Sequence, residues 1–237
     1  MTKHGINPKI QTSSSNCVQT STSQFVGHYG LVIDPDEIEA AVPVRKDKDG
    51  KPMGTLFADI GTWIEQEQNK RTTMYVFDSQ IIDRSWRELS PEVLKSELQN
   101  LADTGVKTAR TPYADLHINA YNQYLGAGGN IAIEKCTNKL LQKLLDVGPV
   151  LAIISYNYMY DYPRLAYDFA KKDYVPDPVN GKVLEHAVLL TGYERNSYYY
   201  NDPEYEFGGE HKVDSDVLIG AICSAQINSD NYLLAIN

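Results

Sequence analysis

Apolar positions divide the chain into two regimes. In the first half they recur every three or four residues, the helical period. After Asn16, a favourable N-cap, Val18, Thr22, Phe25, Val26 and Tyr29 trace one helix, and Gly30 stops it. Asp34-Pro35 opens a second short helix with proline in its first position. Leu56, Ile60, Trp63 and Ile64 mark a third. Ser90-Pro91 opens a fourth, with Leu94, Leu98 and Leu101 on one face. Thr137 or Asn138 caps a fifth, which carries Leu140, Leu141, Leu144 and Leu145 and ends at Gly148. From Pro149 the pattern changes. Pro149 to Tyr156 is a continuous apolar run, short for a helix and rich in β-branched residues, so it reads as a strand. Val183 to Tyr193 is another. Ser197 to Asn201 follows the turn Glu194-Arg195-Asn196, which predicts a hairpin, and Tyr232 to Ile236 closes the sheet. Thr73 to Phe77 reads as a stray strand in the helical half, and residues 105–135 show no readable period. Helices first and strands later predict an α+β fold with a mostly antiparallel sheet. We expect one domain, with a helical lobe over about 1–147 and a sheet lobe over about 148–237.

Composition narrows the function more than the fold. The chain has 237 residues, 42% hydrophobic and 22% charged, enough for one domain with a sizeable core. Its net charge is -9, and a nucleic-acid groove needs clustered Lys and Arg. The densest basic stretch, Arg45 to Lys51, alternates with acids and reads as a solvated loop, so no nucleic-acid partner is expected. No window of about 18 apolar residues exists, so no membrane span is expected either. Met1 to Ser15 is polar and lacks the apolar centre of a signal peptide, which makes the cytoplasm the expected compartment. The three cysteines, Cys17, Cys136 and Cys223, include no Cys-x-x-Cys pair. Neither a disulfide scaffold nor structural zinc is expected, and a reducing compartment keeps a thiol nucleophile free.

One of these thiols stands in a reactive context. Thiolate is the reactive form, and a helix N-terminus or a nearby imidazolium favours it. Cys17 falls in the first turn of a predicted helix, where unpaired N–H groups present positive charge and can donate to an oxyanion. Gln11, six residues upstream in a polar loop, offers a second donor. The bland alternative is a buried cysteine acting as a small hydrophobe. Cys136 also precedes a helix but lacks an upstream amide at that spacing, and Cys223 lies in an apolar run and reads as core. Among the five histidines, His4 sits in a loose N-terminus, His28 on the surface of the first helix, and His117 and His211 in unreadable segments. His186 begins the apolar strand Ala187 to Leu190, a rigid place from which to aim an imidazole. A histidine acting as base needs a third group to orient it. Asp202 ends the hairpin partner of that strand, and the two are roughly equidistant from the turn at 194–196. Asn201 is the neighbouring alternative, facing the other side.

These blocks together resemble the double-glycine leader peptidases, a papain-like cysteine peptidase family, and their stand-alone relatives. The first block is Gln11, then Cys17, Thr20-Ser21 and His28-Tyr29-Gly30. The last is His186 to Tyr193 followed by Tyr200-Asn201-Asp202-Pro203, with Gly148 to Leu151 fitting the preceding strand. The resemblance implies a papain-like fold with the active site between the lobes, and a Cys17–His186–Asp202 triad assisted by Gln11. It implies no cofactor and a peptide or small amide as substrate. Val18-Gln19 departs from the family's Gly-Pro, which would narrow the site or change its substrate. The segment 157–182 is long and holds Tyr158, Tyr160, Tyr162, Tyr167 and Tyr174. It reads either as an aromatic wall beside the cleft or as a packed surface loop. Three functions fit: a hydrolase of peptide or other amide bonds, an acyltransferase using the same acyl-enzyme, and a binding module that has lost turnover.

Overall fold

The computed structural model describes residues 1–46, 50, 52–79, 81–104, 114–168, 170–171, 173–225 and 230–237. A short strand, β1 (Thr2–Lys3), precedes helices α1 (Cys17–His28) and α2 (Pro35–Ala41). A small hairpin, β2 (Arg45–Lys46) and β3 (Pro52–Gly54), leads to α3 (Phe57–Glu67) and β4 (Thr72–Ser79). Then come a 3-10 turn (Arg84–Glu88), α4 (Pro91–Thr104), α5 (Ala114–Gly126), β5 (Asn130–Ile133) and α6 (Asn138–Leu145). Next are β6 (Val150–Ser155), the one-turn α7 (Tyr156–Met159), and a second hairpin, β7 (Leu165–Asp168) with β8 (Asp173–Pro176). The chain ends with β9 (Glu185–Glu194), β10 (Ser197–Asp202), β11 (Gly209–Asp214), α8 (Ser215–Cys223) and β12 (Asp230–Ile236).

The expected α+β fold with a large sheet is present. Its strand order is β11-β10-β9-β6-β12-β4-β5, antiparallel except for the parallel β4–β5 pair, with β1 added to β9. The sheet therefore draws strands from both halves of the chain. Thr73 to Phe77, read as a stray strand, lies inside this sheet as part of β4, and the unreadable stretch holds α5 and β5. Residues 105–113 of that stretch lie outside the described residues.

Both faces of the sheet are covered, which explains the continuous apolar runs. Leu151, Ile153, Ala187 and Leu189 pack with α1, α3 and α5 on one side. Val150, Ala152, Ile154, Val188 and Leu190 pack with α6 and α8 on the other. Alternate residues of one strand face opposite sides, so burial on both makes every position apolar.

Helix α1 departs from the amphipathic expectation because it is buried all round. Val18 through Val26 are buried, including a run of small hydroxyls and amides. Small side chains let α1 lie close to β9, and several of their donors find acceptors, although the Thr20 and Thr22 hydroxyls are buried without a partner among the described residues. Ser21 Oγ donates to Ala187 O at 3.2 Å and Ser23 Oγ to Ile33 O at 2.5 Å. Gln19 Nε2 donates to Val42 O at 2.9 Å and to Thr55 Oγ1 at 2.7 Å. These bonds offset the cost of burying polar groups. The helix ends as expected, with Gly30 at φ 85°, left-handed backbone that glycine adopts without strain.

The other helix starts also follow local chemistry. Asp34 caps α2 by accepting from Asp36 N at 3.0 Å, and Thr137 caps α6 by accepting from Leu140 N at 3.2 Å. Three expectations need correction. The N-terminus is not loose: Thr2 pairs with Tyr193, His4 N donates to Thr191 O at 2.7 Å, and the His4 ring sits 4.9 Å from His28. Arg45 is not solvated: its guanidinium forks onto Asp59 of α3 at 2.7 and 2.6 Å. Of the remaining basic stretch, residues 47–49 and 51 lie outside the described residues. Cys223 is not core: it is exposed at the end of α8, whose Leu218, Ala221 and Ile222 take the buried face instead.

Candidate active site

Three of the expected site residues meet at one end of the sheet. Cys17 opens α1 and is half-buried. Asn16 occupies the N-cap position but does not cap the helix through its side chain. Its amide turns back instead, accepting from Ser13 N at 3.2 Å and donating to Thr12 Oγ1 at 3.0 Å. The first-turn N–H groups are thus left without a capping side chain, at the residue that carries the thiol.

His186 sits near the start of β9, paired with Ile154 of β6, and only 5% of it is exposed. Its Nε2 meets Asp202 Oδ1 at 2.8 Å, and Cys17 lies close enough to the imidazole to influence it electrostatically. With Nε2 held by Asp202, the nitrogen left for Cys17 is Nδ1. The β9–β10 register pairs Asn201 with Leu189, so Asp202 reaches His186 diagonally along the strand, after a one-residue irregularity between Tyr199 and Tyr200. Asn201, the alternative orienting residue, faces the other way and donates to Gln24 Oε1 on α1 at 2.9 Å and to Ile6 O at 3.0 Å.

The electrostatics follow from this packing. Burial alone lowers the pKa of His186, but its interactions with Asp202 and Cys17 outweigh that and raise it from 6.5 to about 10. Burial pushes Asp202 upward, yet hydrogen bonding and charge attraction from His186, with a further bond from Tyr160, hold it below the ordinary 3.8. Asp202 is fully buried, and Oδ1 also accepts from Glu204 N at 2.8 Å.

Gln11 is buried, and its backbone N–H donates to Pro203 O at 2.7 Å, which ties its loop to the residue after Asp202. Its side-chain carbonyl oxygen is buried without a hydrogen-bond partner. Such an orphaned group costs about 1–3 kcal/mol and calls for an explanation. Val18 and Gln19, which replace the expected Gly-Pro, are both buried, Val18 in the core and Gln19 in its bonds to Val42 and Thr55.

Two tyrosines extend the site. Strand β6 leaves the sheet at Ser155, one residue past the His186 pair. Ser155 Oγ accepts from Tyr158 N at 3.3 Å and starts the single turn of α7. That turn places Tyr156 and Tyr160 on one face, with ring centroids 4.8 Å apart. Tyr156 stands edge-to-face on His186 at 5.7 Å. The Tyr160 hydroxyl donates to Asp202 Oδ2, a close contact on the oxygen that His186 does not use. Burial first, and then Asp202, push the Tyr160 phenol far upward, so it remains a donor. The i, i+4 spacing of Tyr156 and Tyr160 straight after a strand was the available sequence signal. Of the aromatic segment 157–182, Tyr160 is thus part of the site, Tyr162 joins Tyr156 at 5.4 Å, and Tyr158 packs beside Gly220 on α8. Tyr167 and Tyr174 stand opposite each other in the backbone register of β7 and β8.

Tyr160→Phe tests the second bond to Asp202. Removing a donor from a buried carboxylate should cost about 1.5–3 kcal/mol. Urea denaturation should show that loss, and the acid limb of Cys17 alkylation should move to higher pH. An unmoved acid limb would mean that Tyr160 only fills space.

No family model matches the chain, and no curated protein matches it. Among solved structures, the chain is similar to that of a candidate C39-like peptidase from Bacillus anthracis, at 12% identity and a TM-score of 0.49. The alignment covers 100% of this chain and 98% of that one. The α+β architecture, built on one large and mostly antiparallel sheet, is the one expected from the sequence.

Proposed function

We propose that this protein is a cysteine hydrolase that cleaves a peptide or other amide bond through a thioester acyl-enzyme. One observation carries the reading: a buried histidine, held by a buried aspartate, lies beside a cysteine at an uncapped helix N-terminus. His186 takes the Cys17 proton through Nδ1, and Asp202 stabilises the resulting imidazolium. The thiolate attacks the substrate carbonyl. The tetrahedral oxyanion accepts from the Cys17 backbone N–H and from the Gln11 side-chain amide. His186 then protonates the leaving amine, the C–N bond breaks, and the acyl group remains on Cys17 as a thioester. Water, deprotonated by His186, attacks the thioester and releases the acid.

An acyl probe tests this directly. With p-nitrophenyl acetate, the protein should release a burst of nitrophenol and carry one acetyl group, which peptide mapping should place on Cys17. Cys17→Ala should fold normally and show neither. Continued turnover by Cys17→Ala would sink the assignment. An acetyl group that persists in water but transfers quickly to an added amine would indicate an acyltransferase. No burst at all would indicate a binding module.

A further inference from the structure

The wall beside His186 is exposed, aromatic and acidic. Tyr156 rests on the imidazole, and around it lie Tyr162 and Phe207, at 5.4 and 6.1 Å between centroids. Phe207 also packs on Tyr160 at 5.3 Å. Tyr162 is 42% exposed and Phe207 40%, so these rings are not simply core. Two separate segments build the wall. One is residues 156–163, after β6, and the other is residues 202–209, between β10 and β11. Neither segment contains a Lys, Arg or His, and besides Asp202, which is buried and paired with His186, they carry Asp161, Glu204 and Glu206. Glu204 and Glu206 lie close enough to Tyr156 to help raise its phenol, behind the larger effect of burial.

The second segment is held in place rather than trailing. Glu204 N donates to Asp202 Oδ1 at 2.8 Å, and the Phe207 carbonyl meets His211 Nε2 at 2.9 Å. Gly208 lets the loop close: a Cβ there would lie 2.0 Å from Glu204 O. Exposed π-faces beside carboxylates suit one kind of group. A cation gains from the ring quadrupoles and from the nearby negative charge together. An anion is repelled by both.

We propose that this wall is a specificity subsite for a cationic side chain, so that the substrate is a basic peptide with Lys or Arg next to the reacting carbonyl. The inference rests on Cys17 and His186 being the reacting pair, but it can be tested without turnover. Cys17 would be labelled in separate experiments by two methanethiosulfonates of different charge, a trimethylammonium-ethyl reagent and a neutral methyl reagent. In each, the thiolate attacks the sulfenyl sulfur, a disulfide forms, and methanesulfinate leaves. Exposed Cys223 in the same molecule reports the effect of the overall charge of -9.

The cationic-to-neutral rate ratio at Cys17 should exceed that at Cys223 by about tenfold at low salt. It should fall several-fold in Glu204→Gln/Glu206→Gln, and also in Phe207→Leu, which removes a ring but no charge. Equal ratios at the two cysteines would overturn the proposal, as would a Cys17 ratio unchanged in both variants. If Cys17 reacts with both reagents only at the rate of an ordinary thiol but keeps its cationic preference, the activated pair fails and the subsite stands.

Discussion

Cys17 should be alkylated by iodoacetamide at nearly the same rate from pH 6 to pH 8, and His186→Ala should abolish that plateau. An ordinary thiol titrates near 8.5, so at pH 6 only about 1 in 300 is thiolate, and its rate climbs about tenfold per pH unit. His186 lies against Cys17 with its pKa raised to about 10, so an imidazolium faces the sulfur across the neutral range. A neighbouring imidazolium is one of the arrangements that favour a reactive thiolate. Ion pairing also weakens the nucleophile, so the wild-type advantage at pH 6 should be about tenfold rather than the full factor. Turnover is the harsher readout. His186→Ala removes the proton carrier for both acylation and amine departure, and should cost about four orders of magnitude or more. Asp202→Asn should cost less, because it disturbs the orientation and charge of His186 but leaves the imidazole in place. A wild-type rate that climbs like an ordinary thiol, and is indifferent to His186→Ala, would remove the basis for a hydrolase.

The second large effect is on stability, and it depends on pH. Asp202→Asn keeps the volume but removes the charge that faces His186 at 2.8 Å inside the protein. Breaking one side of a buried pair should cost about 3 kcal/mol near pH 6. The pKa of His186 is raised on folding, so its contribution is complete below the ordinary 6.5 and is lost as pH climbs toward about 10. That of Asp202 is lowered, so its contribution is complete above the ordinary 3.8 and is lost as pH falls below that value. The gap between wild type and Asp202→Asn in urea denaturation should therefore be widest from about pH 4 to 6.5 and should narrow toward pH 10. A gap that stays constant, or grows in alkali, would mean that His186 and Asp202 do not share a charge.

The site was legible in sequence to the extent that local rules place its parts. Cys17 follows a good N-cap, His186 starts an apolar strand, and Asp202 ends the strand that a short turn folds back beside it. The hairpin brings His186 and Asp202 together, and the packing of α1 against β9 places Cys17 beside them. Tyr156 was missed, and Tyr160 was read only as one ring of a segment that could form an aromatic wall or a packed surface loop, because their contacts with His186 and Asp202 depend on where the chain leaves the sheet. That point follows from the pairing of Ile154 with His186, a contact between residues 32 positions apart. Asn16 was readable as a cap, but its amide goes to Ser13 and Thr12, because the loop holding Gln11 closes on it.

The sequence alone was enough for α1 to α4, α6, β4, β6, β9, β10 and β12, for where most of them stop, and for which thiol and imidazole stand at rigid ends, while α5, α8, β5 and β11 were not readable from it. Hydrophobic period, caps and turn residues act within a few positions, and those interactions survive being read in one dimension. Only the tertiary structure decided that β4 and β5 join the main sheet, that α1 is buried on all sides, and that Cys223 faces solvent. It also decided that the His186 neighbourhood is walled by rings and carboxylates from two distant segments. Each of these outcomes depends on which surfaces meet across long stretches of chain. Strand order and two-sided burial are set by the pairing of whole elements, and no local period encodes them.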